Sequence, residues 1–252
     1  MKAFQFNTTP GIRFGSDYSV STAEEVSKKL GKKILFVTDP GLVKIGLHEK
    51  TITELQKYSE IIIFDNVEAD PSIKTLMDCV QQGRDFDATG VIGFGGGSSM
   101  DVSKLTALLI GSNENIHEAW GVANAKGPRL PLALYPTTSG TGSEVTPISI
   151  ITQEDLEKKG VSSPIILPDL AILDPILTLG LPPHITAATG IDAMVHAIES
   201  YASKSVNNNL ISKTLAKEAL KLLGGSIRQA VLNGKDIEAR SNMLVGSMLA
   251  GV

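Results

Sequence analysis

Over its first two thirds, the 252-residue sequence alternates short, uninterrupted apolar runs with segments of helical character. Uninterrupted apolar runs of this length are typical of strands buried on both faces, and the helices between such strands cover the two faces of a parallel sheet. The sequence therefore predicts an α/β fold built from βαβ units. The predicted strands are residues 33–37, 61–64, 91–94 and 132–135, and the predicted helices are residues 21–30, 41–58, 72–83 and 98–110.

The pattern changes near residue 182, beyond which only helical periodicity is present. Proline interrupts both sheet ladders and helices, so the prolines between Asp174 and Pro183 mark a domain boundary. We expect an α/β domain over residues 1–181 and an all-helical domain over residues 182–252. The helices predicted in the second domain are residues 186–203, 208–223, 226–232 and 235–250.

Composition excludes several classes of protein. A hydrophobic share of 42% with 20% charged residues is that of a folded globular chain. The net charge of −4 argues against binding to a nucleic-acid backbone. A single cysteine, Cys79, excludes a disulfide framework and indicates a reducing compartment. With no apolar run long enough for a membrane span and no leader-like start, we expect a cytoplasmic protein without membrane or nucleic-acid partners.

A glycine cluster follows the third predicted strand, in the run Val91-Ile-Gly-Phe-Gly-Gly-Gly-Ser-Ser-Met-Asp-Val-Ser-Lys104. Glycines let a phosphate approach the backbone closely, and the free N–H groups at the start of the next helix attract an anion. The run matches neither the G-x-G-x-x-G fingerprint nor the P-loop. It indicates a phosphate site or, alternatively, a tight βα turn with a serine cap.

A second segment interleaves glycine with small hydroxyl side chains, from Tyr135 to Pro147. Such side chains can bond a phosphate or a ribose without adding bulk, although a solvated polar loop has the same composition. The spacing around Ser143 differs from that of a nucleophile elbow. A third candidate is Asp39, at the end of the first predicted strand, where a carboxylate can bind both ribose hydroxyls of an adenosine or can simply cap the next helix.

Asp192 and His196 are four residues apart in a predicted helix and therefore lie on one face. A carboxylate and an imidazole together suit iron or zinc, and Glu199 on the same face is a reserve ligand. A surface Asp–His pair is the alternative, because a metal site needs three or four ligands. His48, His117 and His184 show no ligand spacing to this helix.

Taken in order, these motifs resemble those of the iron-containing (group III) alcohol dehydrogenases over essentially the whole chain. The resemblance rests on residues 38–39, 95–104, 136–145, 173–175 and 186–201, the last being Thr-Ala-Ala-Thr-Gly-Ile-Asp-Ala-Met-Val-His-Ala-Ile-Glu-Ser-Tyr. It implies a parallel-sheet dinucleotide-binding domain, a helical metal-binding domain and a cofactor in the cleft between them.

The resemblance also assigns roles to individual residues. Asp39 would bind the adenosine ribose and oppose the 2′-phosphate of NADP, so NAD is the implied cofactor, and Gly96, Gly97 and Ser98 would hold the pyrophosphate. Asp70 stands where the family usually has asparagine. The metal, Fe²⁺ with Zn²⁺ as the alternative, would be held by Asp192 and His196. The further cofactor contacts implied are Asp70, Asp101, Thr137, Thr138, Thr146, Lys158 and Leu177.

In the family, two more histidine ligands and a histidine used for proton relay follow a Leu-Ala-Gly-Met-Ala-Phe-like helix. The present sequence ends at Leu249-Ala-Gly-Val252. We therefore expect a C-terminally truncated chain with an incomplete metal site. We also expect an apolar face to be left exposed around Met243, Leu244, Met248 and Leu249.

The function implied by the resemblance is metal-dependent hydride transfer between a primary alcohol or aldehyde and NAD. The metal would act as a Lewis acid and the nicotinamide would carry the hydride. Two alternatives remain at this point: a catalytically inactive NAD-binding fragment, and a glycerol-dehydrogenase-like zinc enzyme of the same fold. A homodimer or larger homo-oligomer is the implied assembly.

Overall fold

A computed structural model describes residues 3–205 and 207–252, and its principal feature is a parallel sheet. In the described part of the chain this sheet has six strands in the order β1-β9-β6-β4-β2-β3, every neighbouring pair being parallel. A smaller sheet has the order β5-β8-β7. The strands are β1 (Gly11–Phe14), β2 (Lys33–Val37), β3 (Glu60–Phe64), β4 (Gly90–Gly95), β5 (Gly121–Val122), β6 (Leu132–Pro136), β7 (Ile148–Thr152), β8 (Lys158–Ser162) and β9 (Leu170–Leu173).

Helices cover both faces of the large sheet, so the predicted α/β class is confirmed. Strands β4, β6 and β9 are buried along their whole length, which explains their continuous apolar sequences. No helix in the described ranges is both long and apolar enough to cross a membrane. The helices are α1 (Tyr18–Ser21), α2 (Ala23–Leu30), α3 (Pro40–Lys44), α4 (Glu49–Leu55), α5 (Ile73–Asp85), α6 (Gly97–Ser112), α7 (Ile116–Ala119), α8 (Pro183–Ala202), α9 (Leu210–Leu232) and α10 (Ile237–Gly251).

Several sequence-based boundaries were wrong. The helix predicted over residues 41–58 is two short helices, α3 and α4, because Gly46 between them has φ of +69°. The predicted break at Gly224-Gly225 does not exist, since α9 runs through both glycines while packing against α8 and α10. The helix predicted over residues 21–30 begins two residues later: Thr22 separates α1 from α2, and its hydroxyl donates to the Tyr18 carbonyl at 2.6 Å.

The strands that the sequence did not predict are β1, β5, β7, β8 and β9. β1 and β9 pair at one edge of the large sheet, and β7 and β8 form a hairpin beside it. β9 is apolar throughout but only four residues long, and the other four are short or carry polar residues, so none has the long apolar run that identifies a central strand.

Helices α8, α9 and α10 form a separate bundle after the sheet, as expected for the region beyond residue 182. Alanines at the contacts let the helices approach closely around Leu223 and Met243. The expected exposure of an apolar face on α10 was wrong for its centre, because Met243 and Leu244 are 1% and 0% exposed. β9 ends at Leu173 and α8 begins at Pro183, so the predicted boundary falls between them.

Candidate functional site

The glycine turn between β4 and α6 leaves the start of a 16-residue helix open. The N-cap residue, Gly96, has no side chain to cap the helix. The first N–H groups of a helix have no intrahelical partner, so those of Gly97, Ser98 and Ser99 are free to bind an anion. A Cβ on Gly97 would lie 2.9 Å from Thr141 Cγ2, so the glycine turn and the segment after β6 approach each other closely at this point.

Asp39 lies beside this turn and also caps a helix. Its Oδ1 accepts a hydrogen bond from the Leu42 N–H at 3.0 Å at the start of α3. Its Oδ2 is 3.5 Å from the position that a Cβ on Gly95 would occupy. Because β2 and β4 are adjacent and parallel, their carboxyl ends meet, and the two interpretations of Asp39 are compatible.

The hydroxyl-rich segment after β6 packs against the same turn. Thr138 Oγ1 is 3.6 Å from the Cβ position of Gly96, and the Thr137 N–H donates to the Gly95 carbonyl at 2.9 Å. The segment also reaches the helical bundle, since a Cβ on Gly142 would lie 2.8 Å from Gly251 Cα, and Gly142 has φ of +61°. This segment therefore connects the glycine turn to α10.

A buried cluster of polar side chains packs against the inner side of this hydroxyl-rich segment. Lys104 on α6 is 0% exposed, and its Nζ donates to Ser143 Oγ and to the Ile148 carbonyl, both at 2.7 Å, and to Thr146 Oγ1 at 3.3 Å. Asp101 accepts from Ser143 Oγ at 2.7 Å and from the Ile150 N–H at 2.9 Å. Asp101 thus ties α6 to β7 in addition to facing the cleft.

Burial perturbs both charged groups of this cluster. It lowers the pKa of Lys104 to about 8, although the charges of Asp101 and Glu144 oppose the shift. Burial also raises the pKa of Asp101, against the attraction of Lys104 and the hydrogen bonds from Ser143 and Ile150. Of the two, Asp101 lines the cleft, and groups with a perturbed pKa in a cleft are characteristic of functional sites.

Asp70 and Lys158 form an ion pair at the mouth of the cleft. Lys158 Nζ lies 2.7 Å from Asp70 Oδ1, with the side chains 54% and 72% exposed. Asp70 has φ of +53° and precedes Pro71, and its carbonyl accepts a hydrogen bond from Thr152 Oγ1 at 3.1 Å. These contacts join the start of α5 to the β7–β8 hairpin.

Helix α8 contributes the opposite wall of the cleft. His196 Nε2 is 3.7 Å from Asp192 Oδ1, and both side chains are partly exposed. Glu199 lines the same cleft one turn further on. Among residues 3–205 and 207–252, however, no group of three or more His, Cys, Asp or Glu side chains is placed to hold a metal ion.

The cleft between these walls has a volume of about 840 Å³. Leu177, in a 3₁₀ turn after β9, is 5% exposed and packs in the core beneath the sheet, and Thr137 is 3% exposed. Of the residues predicted for the site, those lining the cleft are Asp70, Gly97, Asp101, Thr146, Lys158, Asp192 and His196, while Asp39, Gly96, Ser98 and Thr138 lie at or beside the glycine turn.

Sequence reasoning missed the apolar part of the lining. Ile148 and Ile150 on β7 face the cleft at 44% and 46% exposure, whereas Ser149 between them is buried. This inverts the usual alternation of buried apolar and exposed polar residues, so no periodicity could have identified them. Thr141 and Ser143 also line the cleft, and the glycine–hydroxyl composition of their segment was the available signal.

Two family models match the chain. Residues 9–175 match the model described as iron-containing alcohol dehydrogenase, and residues 186–252 match the C-terminal model of the Fe-containing alcohol dehydrogenase family. Together they cover most of the chain, on both sides of the cleft.

Individual relatives agree with the family models. The chain is 40% identical to a sulfoacetaldehyde reductase of Bilophila wadsworthia over 99% of its length and 65% of the relative's. It is 44% identical to long-chain-alcohol dehydrogenase 1 of Geobacillus thermodenitrificans over 89% of its length and 58% of the relative's. The chain thus spans less than two thirds of the length of these relatives.

A solved structure shares the fold. The sulfoacetaldehyde reductase of Bifidobacterium kashiwanohense, crystallised in complex with NAD⁺, superposes with a TM-score of 0.91 at 31% identity, over 100% of this chain and 66% of that one. With both family models matched and this fold in common, the chain belongs to the iron-containing alcohol dehydrogenase family.

Proposed function

We propose that the chain binds NAD in the cleft between the glycine turn and α8. We further propose that the protein transfers a hydride between a primary alcohol or its aldehyde and this cofactor. The observation that carries the proposal is the uncapped start of α6, where free N–H groups meet a surface kept open by Gly97. A relative's NAD⁺ complex on the same fold supports it.

The residues present fit a dinucleotide. The α6 N-terminus would bind the pyrophosphate, Asp39 the adenosine ribose, and Thr138 and Thr146 the neighbouring hydroxyl and amide groups. Lys158 would bind the second ribose after its ion pair with Asp70 has broken. When bound, NAD supplies the hydride acceptor, and the chain's own contribution is to orient it against the α8 wall.

The residues present do not by themselves complete a metal site. Asp192 and His196 provide two donors, and stable iron or zinc sites use three or four protein ligands. This observation favours a second candidate function for the 252-residue chain on its own, which is NAD binding without turnover.

Cofactor binding is tested by calorimetric titration of the purified chain with NAD⁺. Gly97→Ala places a Cβ against Thr141 and narrows the anion site, so we expect it to weaken binding by about tenfold or more, or roughly 1.4 kcal/mol. Gly224→Ala is the matched control, because nothing lies within 4 Å of a Cβ there. Unchanged affinity in Gly97→Ala would remove the pyrophosphate from this turn.

Metal content and turnover decide between the two functions. The chain is loaded anaerobically with Fe²⁺ or Zn²⁺, desalted, and assayed for bound metal and for NADH formation from primary alcohols. We expect well under one ion per chain and no measurable turnover. One tightly bound ion with turnover would establish the enzyme in this chain, and a preference for zinc would favour the glycerol-dehydrogenase-like alternative.

A further inference from the structure

Glu144 is a buried carboxyl group without a hydrogen-bonded partner on one oxygen. It lies in the 3₁₀ turn Ser143–Val145, between the two cleft-lining residues Ser143 and Thr146, and is 1% exposed. Within the part of the chain that the structure describes, its Oε1 accepts no hydrogen bond. A buried carboxylate left in this state is costly, so the group requires either a proton or a nearby cation.

The cation whose charge acts on Glu144 is Lys104, which other groups already share. Lys104 on α6 is hydrogen-bonded to Ser143, Thr146 and the Ile148 carbonyl, and its Nζ is 3.8 Å from Asp101 Oδ1. Asp101 also accepts two hydrogen bonds, from Ser143 and from Ile150, whereas Glu144 Oε1 accepts none. Lys104 is thus the counter-charge for two carboxyl groups, and the ionised form of Asp101 is better stabilised than that of Glu144.

Within residues 3–205 and 207–252, the side chains of the other elements in contact with the turn bring no further charge to Glu144. α10 meets it through Gly251 beside Gly142 and Val145, while its own charged residues, Glu238 and Arg240, lie in its first turn at the far end. The titratable residue of β6, Tyr135, faces Thr22 and Glu25 instead. The segment before β1 brings only an uncharged hydroxyl to the turn, because Thr9 Oγ1 donates a hydrogen bond to the Glu144 backbone carbonyl at 3.0 Å.

Burial raises the pKa of Glu144 to about 7, against the hydrogen bond from its own backbone N–H and the charge of Lys104. The carboxyl therefore changes charge near neutral pH. When it ionises, the cluster of Asp101, Lys104 and Glu144 goes from neutral to a net charge of −1. This cluster lies directly beneath Ser143 and Thr146, in the wall of the cleft.

We propose that Glu144 is a proton-linked positioning residue of the cofactor cleft, whose buried carboxyl competes with Asp101 for Lys104, so that the cleft binds an anionic dinucleotide with uptake of a proton. The inference rests on the proposed NAD site. The negative charge of the diphosphate favours the neutral carboxyl, and by linkage protonation favours the diphosphate equally. Glu144 acts through Lys104 and Asp101 without contacting the cofactor.

The cofactor arm of the test is calorimetry with NAD⁺ in buffers of different ionisation enthalpy, which reports protons taken up on binding. In the wild type we expect net uptake near pH 7 and a dissociation constant that rises about tenfold between pH 6 and pH 8, as for one added charge near the diphosphate. In Glu144→Gln the uptake at pH 7 should fall and the pH dependence between pH 6 and pH 7 should flatten, while Lys104, whose pKa burial lowers to about 8, still titrates at the alkaline end. Glu238→Gln, at an exposed position, should behave as the wild type.

The ligand-free arm is the thermal unfolding midpoint between pH 5 and pH 8. With a folded pKa above the unfolded value, Glu144 stabilises the fold at low pH and loses that contribution as pH rises through about 7. The midpoint of the wild type should fall relative to Glu144→Gln by on the order of 5 °C. The unfolding midpoint of Glu144→Met is measured as well, so that the conclusion does not depend on Glu144→Gln alone if the buried glutamine impairs folding.

The outcomes separate the two proposals. Absence of NAD⁺ binding at every pH refutes the proposed function and the coupling, while the unfolding arm still shows whether Glu144 titrates. NAD⁺ binding without proton uptake at pH 7, or uptake at pH 7 that both Glu144 variants leave undiminished, overturns the inference and leaves the NAD site intact. Parallel midpoint curves for the wild type and both variants also overturn it.

Discussion

We expect Asp39 to make the cleft bind NAD in preference to NADP. Because Asp39 also caps α3, a substitution that tests this preference must keep the helix cap. Oδ1 is occupied by the Leu42 N–H at 3.0 Å, while Oδ2 faces the glycine turn near Gly95. Asp39→Asn retains a cap acceptor and removes only the charge, because asparagine caps helices as well as aspartate does. Asp39→Gly removes both, although glycine caps cost only a few tenths of a kcal/mol.

The size of the effect follows from electrostatics. A 2′-phosphate carries a charge of about −1.5 to −2 at neutral pH, and at about 5 Å from a carboxylate in a partly hydrated cleft it is repelled by about 1–3 kcal/mol. This corresponds to about tenfold or more in the dissociation constant of NADP. NAD affinity should change by less than about threefold in Asp39→Asn, since the amide can still bond the ribose.

The assay is titration of NAD⁺ and NADP⁺ into the wild type, Asp39→Asn and Asp39→Gly at low ionic strength. Asp236→Asn is the matched control, because Asp236 caps α10 through the Ala239 N–H at 3.0 Å and lies outside the cleft lining. The ratio of the two dissociation constants should approach one in both Asp39 variants and stay unchanged in the control. Equal binding of the two cofactors by the wild type would refute the ribose role of Asp39.

Two further predictions concern the fold. Arg240 is 2% exposed and donates hydrogen bonds to Thr186 Oγ1 and to the Gly234 and Leu181 carbonyls. Arg240→Met should therefore lower the free energy of unfolding, measured by urea denaturation, by about 2–4 kcal/mol. Arg228→Met, at an exposed position, is the control and should leave the free energy of unfolding unchanged. An unchanged urea midpoint for Arg240→Met would contradict this. Cys79 is 0% exposed and burial raises its pKa to about 12, so a thiol reagent at pH 8 should label unfolded but not native protein. Rapid labelling of the native chain would contradict the burial.

The central sheet was predictable because its strands are buried on both faces. The predicted strand over residues 33–37 coincides with β2, and the other three differ from the observed strands by a residue or two. The edge strand β1 and the hairpin of β7 and β8 were missed, since partial exposure removes the continuous apolar run. Their existence depends on pairing partners distant in the chain, such as β9 for β1.

In the candidate site, too, local spacing could be predicted and contacts between distant residues could not. Glycine placement indicated an open turn before α6, and the structure has that helix start without a side-chain cap. The helical spacing of Asp192 and His196 placed them on one face, and the structure has them 3.7 Å apart. Neither pattern could show that Lys158 pairs with Asp70, since these residues are 88 positions apart.

Local sequence patterns were enough to predict the fold class, the order of the central strands along the chain and the residue types gathered at the carboxyl end of the sheet. These properties are local, because apolar periodicity and glycine placement act over a few residues. The environment of each charged group depends instead on contacts between residues that are distant in the chain. Whether Glu144 is solvated or buried beside Lys104 depends on the packing of α6, β6 and α10 around one turn, and burial is what brings its pKa to about 7.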